Sequence, residues 1–388
     1  MKILTLLTSE FPEDVRVEKE MDALNNAGHE VHLACYTQKE RPKYEKCPNY
    51  IVHRKLISSF IYKSSVGCLK FPFYFNFWRK FVTQLFKNEN FDAIHIHDLP
   101  LAKIGYEIKI KYKIPFILDL HENWPASLEI ATHTNTFLGK LLSSNKQWRK
   151  YEKRFLGQAN SIITVVDEMK MRISKLGIDK NKIYIVSNTI NTKDFPLYDD
   201  KSDLEFITLF YAGGINIHRG LQVVIKAVSL IIKEKQNIRL NIIGKGSYQS
   251  HLEKLVNDLN LENHIKFLGW KNLNEISKLL AKSDIALIPH LKSEQTDCSS
   301  PNKLYQYIYA KKPILTSNCD SLVRIVKETK SGLVYTHNSP EDFKKMFFKL
   351  LINQNSIIDL EHGSSLINSK YNWSVDSDRL VGLYNNFI

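Results

Sequence analysis

KILTLLTSEFPEDVRVEKEMDALNNAGHEVHLACY, residues 2–36, decides the fold. KILTLL is an apolar run of strand length, VRVEKEMDALNNAG reads as a helix stopped by Gly28, and EVHLACY is the next strand. Strand, helix and strand in that order are the signature of parallel α/β layering. AIHIH, PFILDL, SIITVV and KIYIVS continue the strands through the N-terminal half, which gives a doubly wound layout. KIYIVSNTINTKDFPLYDDKSD follows, with Pro196 and a group of acids that read as a linker, and then the alternation restarts. The second set of strands is FITLFY, IRLNII, HIKFLG, DIALIPH and PILTS, with helices expected to start near Leu221, Tyr248, Asn274 and Asn302.

At 388 residues the chain is longer than one hydrophobic core usually supports, which also favours two domains. The expected boundaries are 1–196 for the first, 203–370 for the second, beginning near Asp203, and 371–388 for a closing helix that returns toward the first. Two such domains in tandem leave a cleft between them, and ligands of these sheets bind beyond the carboxyl ends of the strands.

With 43% hydrophobic and 24% charged residues, the composition is that of an ordinary globular protein. A formal charge of +13 favours phosphate-bearing partners. No recognition pattern for nucleic acid accompanies that charge, so nucleic acid is not expected as a partner. Cys35, Cys47, Cys68, Cys298 and Cys319 form an odd set without a C-x-x-C pair, which argues against a disulfide framework or a structural zinc site and suits a reducing cytoplasm. The first apolar run is too short for a signal peptide, and no later run has the length of a membrane span.

Three loops of the second half could hold an anion. YAGGINIHRGLQVVIKAV runs from a strand through Gly213, Gly214, Arg219 and Gly220 into a helix; glycines allow close backbone approach, the helix start offers free N–H groups, and Arg219 adds charge. A tight turn with a surface arginine fits the same letters. IIGKGSYQSHLEKL has a lone G-x-G at Gly244 after a strand, which also reads as a plain turn. In SSPNKLYQYIYAKKP, residues 299–313, Ser300 is expected as N-cap and Pro301 as first helical residue, with the amides of Asn302 and Lys303 near the positive end. Lys303 and Gln306 then share a face, suited to a phosphate and a hydroxyl-bearing group, although a capped surface helix with Leu304 and Ile308 buried has the same pattern.

In the first half, DLHENWP places His121 and Glu122 just after a strand, where the two could polarise a substrate hydroxyl. The D-x-D instance Asp376-Ser377-Asp378 reads as acids at the start of the last helix, so no metal is expected. Arg54, Lys55, Lys63, Lys70, Arg79, Lys80 and Lys87 surround the aromatic run FPFYFNFW without any acid from 54 to 87. That mixture suits an anionic membrane surface, and equally a half-buried helix with snorkelling lysines.

In their order, GHEV, FDAIHIHD, DLHE, NSIITVV, SNTIN, YAGG with HRGL, IIGKG, IKFLGW, SDIALIP, PNKLYQY with KKPIL and the closing YNWS resemble the family-4 retaining glycosyltransferases, which have the GT-B fold of two Rossmann-like domains facing each other across a cleft. The resemblance implies metal-independent transfer of a hexose or N-acetylhexosamine, with retained configuration, from a nucleotide diphosphate sugar to a glycan or lipid-linked acceptor, as in cell-surface polysaccharide synthesis. It implies no cofactor beyond the donor, and a cytoplasmic protein that can be peripheral on the inner face of the plasma membrane. Arg219 and Lys303 match the family's phosphate-binding positions, and His121 matches the histidine over the donor sugar. The donor would lie along Gly213, Gly214, Gly244, Asp297, Cys298, Ser299, Ser300, Asn302 and Gln306. A second basic residue of the family falls on Gly214, and its paired glutamates fall on Cys298 and Gln306; Gln306 retains an acceptor for ribose, and Asp297 stands beside Cys298. Two other readings fit the lost glutamates or the fold: a non-catalytic glycosyltransferase subunit and a sugar-nucleotide epimerase.

Overall fold

The structure, a computed structural model, describes residues 1–12, 14–130, 139, 142–199 and 205–387, with the side chains of 353–355 outside the description. It divides into two compact units, Met1–Ser187 with Asp376–Ile388, and Asn188–Val375. The sequence reading drew the boundary at 196 and 203; Asp203 lies outside the described residues.

The first unit contains β1 (Lys2–Leu7), β2 (Glu30–Thr37), β3 (Tyr44–Lys46), β4 (Ile51–Leu56), β5 (Ala93–His97), β6 (Phe116–Leu120), β7 (Ser161–Thr164) and β8 (Ile183–Ile185). They form one sheet in the order β3-β4-β2-β1-β5-β6-β7-β8, parallel except for β3 against β4. β1, β5 and β6 are buried along almost their whole length, as expected of strands covered on both faces. The polar residues inside those runs, Thr5, His95, His97 and Asp119, are therefore exceptions that need an account. Beside them lies the helix Val15–Asn26, whose N-cap Asp14 accepts from the amides of Arg16 and Val17, and which ends before Gly28 at φ +86. Its inner face buries Arg16 and Glu20 along with Val17, Met21 and Leu24.

The basic aromatic segment is mostly core. The helix Phe73–Asn88 buries Tyr74, Phe75, Trp78, Phe81, Val82 and Leu85, an inward stripe at helical spacing. Arg54 lies inside β4 and is buried, its Nη1 2.6 Å from Glu45 of the neighbouring β3, so it is not a headgroup contact. Lys55 reaches over the rings of Phe77 and Phe81. The exposed aromatic residues of the segment are Phe60, Tyr62, Phe71 and Phe73, and its exposed lysines are Lys63, Lys70, Lys80 and Lys87.

The second unit contains β9 (Ile207–Ala212), β10 (Ile238–Ile243), β11 (Ile265–Gly269), β12 (Ile285–Ile288), β13 (Ile314–Ser317) and β14 (Gly332–Tyr335), all parallel in the order β11-β10-β9-β12-β13-β14. The chain proceeds outward from β9 on one side and from β12 on the other, so the topological switch lies between those strands; in the first unit it lies between β1 and β5. The second unit is joined where it begins and ends: Ile190 pairs with Asn372, and the Trp373 amide donates to the Ile190 carbonyl at 2.8 Å. From Asp376 onward the closing helix Trp373–Asn385 belongs to the first unit, where Leu380, Leu383 and Tyr384 are buried.

Candidate functional site

Each switch point gathers ionisable side chains, and in the second unit they are cations. β9 runs into Gly213 and Gly214, a short 3₁₀ turn at Ile217–Arg219, Gly220 at φ 72, and the helix Leu221–Ile231. Gly220 is dictated by space as well as by backbone, since a Cβ there would stand 1.8 Å from the Pro289 carbonyl beyond β12. Gly244 similarly meets Gly213: a Cβ on it would lie 1.9 Å from the Gly213 carbonyl, while the Gly213 amide donates to the Ile243 carbonyl at 2.9 Å. The glycines thus allow two loops to pack backbone against backbone. Gly214 is different, because a Cβ on it would meet only Asn216 Nδ2 at 3.5 Å, an ordinary contact.

Arg219 and Lys303 converge on this platform. Arg219 Nη1 lies 2.9 Å from Nε2 of the buried His290, which follows β12. Lys303 is 8% exposed, with its Nζ 3.7 Å from the centre of the Tyr211 ring and 2.8 Å from where a Gly213 Cβ would be. Burial, and then the charge of Arg219, hold the Lys303 ammonium well below lysine's ordinary pKa. Burial and the same two cations lower His290 strongly and bring His218 to about 4. No carboxylate pairs with Arg219 or Lys303 among the described residues. Two cations beside two neutral imidazoles form a site whose charge a bound anion would balance. His218, His290 and Tyr211 gave no signal in the sequence because they become neighbours only through strand order.

The helix that carries Lys303 is Asn302–Tyr309, and its start differs from the expectation. Pro301 has the extended ψ of 139 that marks the N-cap, so Ser300 stands one residue too early to cap; its Oγ instead lies 2.9 Å from the Tyr305 hydroxyl. With no side-chain cap, the first amides keep their donors for a ligand or water. Asn302 donates to the carbonyls of Asn188 and Thr189 and accepts from Gln306 Nε2 at 2.8 Å, which orients the Gln306 oxygen as an acceptor. Leu304 and Ile308 are buried as well, so the helix packs and presents a ligand face at once. Upstream, Asp297 Oδ1 accepts from Lys292 Nζ at 2.8 Å and from the Asp320 amide at 2.9 Å. Cys298 is buried, and the Ser299 carbonyl accepts from Ser321 Oγ at 2.5 Å.

In the first unit the cluster at the switch point contains both signs. Arg16 Nη2 lies 2.8 Å from Glu20 and 3.3 Å from Asp119. His95, His97, Glu20 and Asp119 bring four potential ligand atoms within 4.8 Å of one another, all buried, and two of these residues, Glu20 and Asp119, face the Arg16 guanidinium. Burial opposes ionisation of Asp119, but Arg16 and His121 outweigh it and hold the carboxyl well below its usual range. His95 Nδ1 lies 2.8 Å from the hydroxyl of Tyr384 on the closing helix. His121 has its Nε2 3.2 Å from Asp119 Oδ2. Its expected partner Glu122 accepts from Ser127 Oγ at 2.9 Å, and the carboxylates beside the ring are Asp119 and Asp98. A cavity of about 190 Å³ opens nearby in the same unit, lined by Tyr36, Tyr62, Tyr74, Trp124 and Trp148 among others. In the D-x-D instance, Asp376 is buried and accepts from Arg379 Nη1 at 3.0 Å within the first turn of its helix. No helix among the described residues is long and apolar enough to cross a membrane.

Known proteins resemble this sequence in part and share its fold. Residues 15–194 match the family described as Glycosyltransferase Family 4, and residues 198–372 match Glycosyl transferases group 1. An uncharacterized glycosyltransferase of Methanocaldococcus jannaschii, MJ1607, is 23% identical over 264 residues, 64% of either chain. The matched stretches span 64%, 74% and 53% of three such relatives. Among solved structures, sucrose-phosphate synthase from Thermosynechococcus elongatus superposes with a TM-score of 0.80 at 14% identity, covering 100% of this chain and 98% of that one. Anabaena HepE in complex with UDP gives 0.71 at 13% identity, covering all of both chains. Those two likenesses show the GT-B fold.

Proposed function

The chain belongs to the group 1, family 4 glycosyltransferases, and from that membership we propose that it transfers a hexose or N-acetylhexosamine from a nucleotide diphosphate sugar, without a metal and with retained anomeric configuration. The observation that carries this reading is the pair Arg219 and Lys303, drawn together at the β9/β12 switch with no carboxylate among the described residues to neutralise them. A diphosphate supplies the missing charge. When the bond between the sugar carbon and the departing phosphate oxygen breaks, negative charge grows on that oxygen, and fixed donors lower the barrier most where charge develops. Arg219, Lys303 and the first amides of the helix Asn302–Tyr309 are those donors. The acceptor oxygen bonds to the same face of the sugar, and its proton passes to the departing phosphate, so no carboxylate nucleophile is required.

Gln306, oriented by Asn302, takes a ribose hydroxyl, and His121 takes the donor sugar. The acceptor, a glycan or a lipid-linked sugar, meets the first unit at the aromatic cavity, since aromatic faces suit sugar rings. The exposed Phe60, Tyr62, Phe71 and Phe73, with the exposed Lys63 and Lys70, offer an anionic membrane both apolar and basic side chains, as suits assembly of a cell-surface polysaccharide.

Melting curves with UDP-, GDP- and ADP-sugars identify the donor, because a ligand that binds only the native state raises the melting temperature by mass action. NMR of the product then reads the anomeric configuration, with chelator present throughout. Inversion, dependence on added metal, or conversion of the donor into another sugar nucleotide without acceptor would sink the proposal.

A further inference from the structure

Asp98 adopts φ 65 and ψ 158, a backbone conformation in which glycine is the usual occupant and other residues are strained. In that conformation its amide donates to the Asp119 carbonyl at 2.8 Å, and its Oδ1 accepts from the His121 amide at 3.2 Å. Its Oδ2 then lies 3.8 Å from Nδ1 of the His121 ring. The opposite ring nitrogen, Nε2, faces Asp119 Oδ2 at 3.2 Å and His97 Nδ1 at 3.3 Å. Each nitrogen therefore has a carboxylate before it. A neutral imidazole has one N–H and would turn a lone pair toward one of them.

The other ionisable groups packed around this ring are Arg16 and Glu20 on the helix Val15–Asn26, Asp14 at its cap, and His95 and His97 on β5. Arg16 is the one fixed cation among them, and it is already matched against Glu20 and Asp119. His97 is held neutral by burial and by His95, so its Nδ1 can accept from a protonated Nε2 of His121.

We infer that Asp98 is a positioning residue that clamps His121 with a proton on each ring nitrogen, so that His121 meets its ligand as a fixed cation and hydrogen-bond donor. The identity of that ligand rests on the proposed transferase reading; the protonation of the ring does not. An imidazolium has no lone pair for the acceptor's proton, which leaves the departing phosphate as the base. Burial opposes the charge on His121, but Asp98 and Asp119 outweigh it and raise the ring to about 10. The backbone strain at Asp98 persists because the carboxylate is needed at that point and not because the turn requires a side chain.

The test follows the imidazole Cε1–H resonances of the ligand-free protein from pH 5 to pH 11, a span chosen around histidine's ordinary value of roughly 6.5. The His121 signal is identified by its loss in His121→Gln. In the wild type it should keep its imidazolium shift until about pH 10. In Asp98→Asn and Asp98→Gly the midpoint should fall by about one unit or more toward the ordinary value. Asp98→Gly also relieves the backbone, which offsets part of the stability lost with the carboxylate; it keeps the test open if the Asn variant does not fold. A wild-type midpoint near the ordinary value, or midpoints unmoved in both variants, would overturn the inference. Because no substrate is present, this failure is distinguishable from failure of the transferase reading.

Discussion

The first unit buries its charges in groups of opposite sign, with Arg16 between Glu20 and Asp119 and His121 between Asp119 and Asp98; the second buries Lys303 beside Arg219 with no acid paired to either among the described residues. The same topology produces both, each at the carboxyl ends of the two strands that flank a switch point. What differs is who completes the electrostatics. A buried ion pair is completed by the chain itself, and removing one member leaves a stranded charge. A buried lone cation is a cost to folding that a ligand can cancel. The first arrangement fixes side chains in place, and the second creates demand for an anion.

Substitution of Lys303 tests the contrast most severely. Lys303→Met should lower sugar transfer by about a thousandfold, as loss of a fixed donor at a developing charge does, while the melting temperature stays level or rises. A melting temperature several degrees lower would break the comparison, because it would mean that the ammonium stabilises the free protein. Asp119→Asn should behave in the opposite way, destabilising the fold by about 3–5 kcal/mol in urea titrations because Arg16 and His121 both lose the buried carboxylate they share. Arg219→Ala, at a side chain that also contacts His290, should reduce transfer by about a hundredfold.

A smaller effect comes from pH. In the free protein Lys303 is held below lysine's ordinary value, whereas a bound diphosphate raises it again. The complex therefore carries a proton at pH values where the free protein has lost it, so donor binding takes up protons. Affinity is level at pH values below the free-state pKa, then falls as pH rises, at most about tenfold per unit. Calorimetry at one pH in two buffers of different ionisation enthalpy reads the proton directly; an identical heat in both buffers across the range would remove the lowered lysine from the account. The smallest change sharpens the comparison by adding a cation. Gly214 has room for a side chain, so Gly214→Lys should tighten donor binding about threefold, the range of an exposed charge pair.

Much of this was legible in the letters. Continuous apolar runs such as FILDL and IALI announce strands buried on both faces, and Gly28 marks the helix end that the φ of +86 requires. β3, β4 and β14 were not legible. IVHRKL reads as a basic stretch because the acid that neutralises Arg54 sits on β3, and only the register of β3 against β4 brings Glu45 to it. Gly332–Tyr335 is an edge strand of four residues, too short for its apolar letters to show a period. At the site, Arg219 and Lys303 were visible through their motifs, but the absence of a nearby acid is a property of three-dimensional neighbourhood. Ser300 was misread as the cap because Ser-Pro at a helix start leaves two candidate positions, and ψ at Pro301 decides between them. The clamp on His121 was invisible for a similar reason. Asp98 and Asp119 lie on separate strands' ends, and the odd backbone of Asp98 has no sequence signature in a residue that is not glycine.

The pairing of Ile190 with Asn372 gives the second unit a single doorway, through which the chain enters and leaves side by side. A module tied off in this manner behaves as a cassette in the middle of a gene. Splicing at the doorway would exchange one relative's cassette for another's without lengthening either joint, and would carry the donor preference along with it if the proposed assignment of Lys303 and Arg219 is right. The first unit, interrupted at 187 and resumed at 376, would be the vessel into which alternatives are dropped.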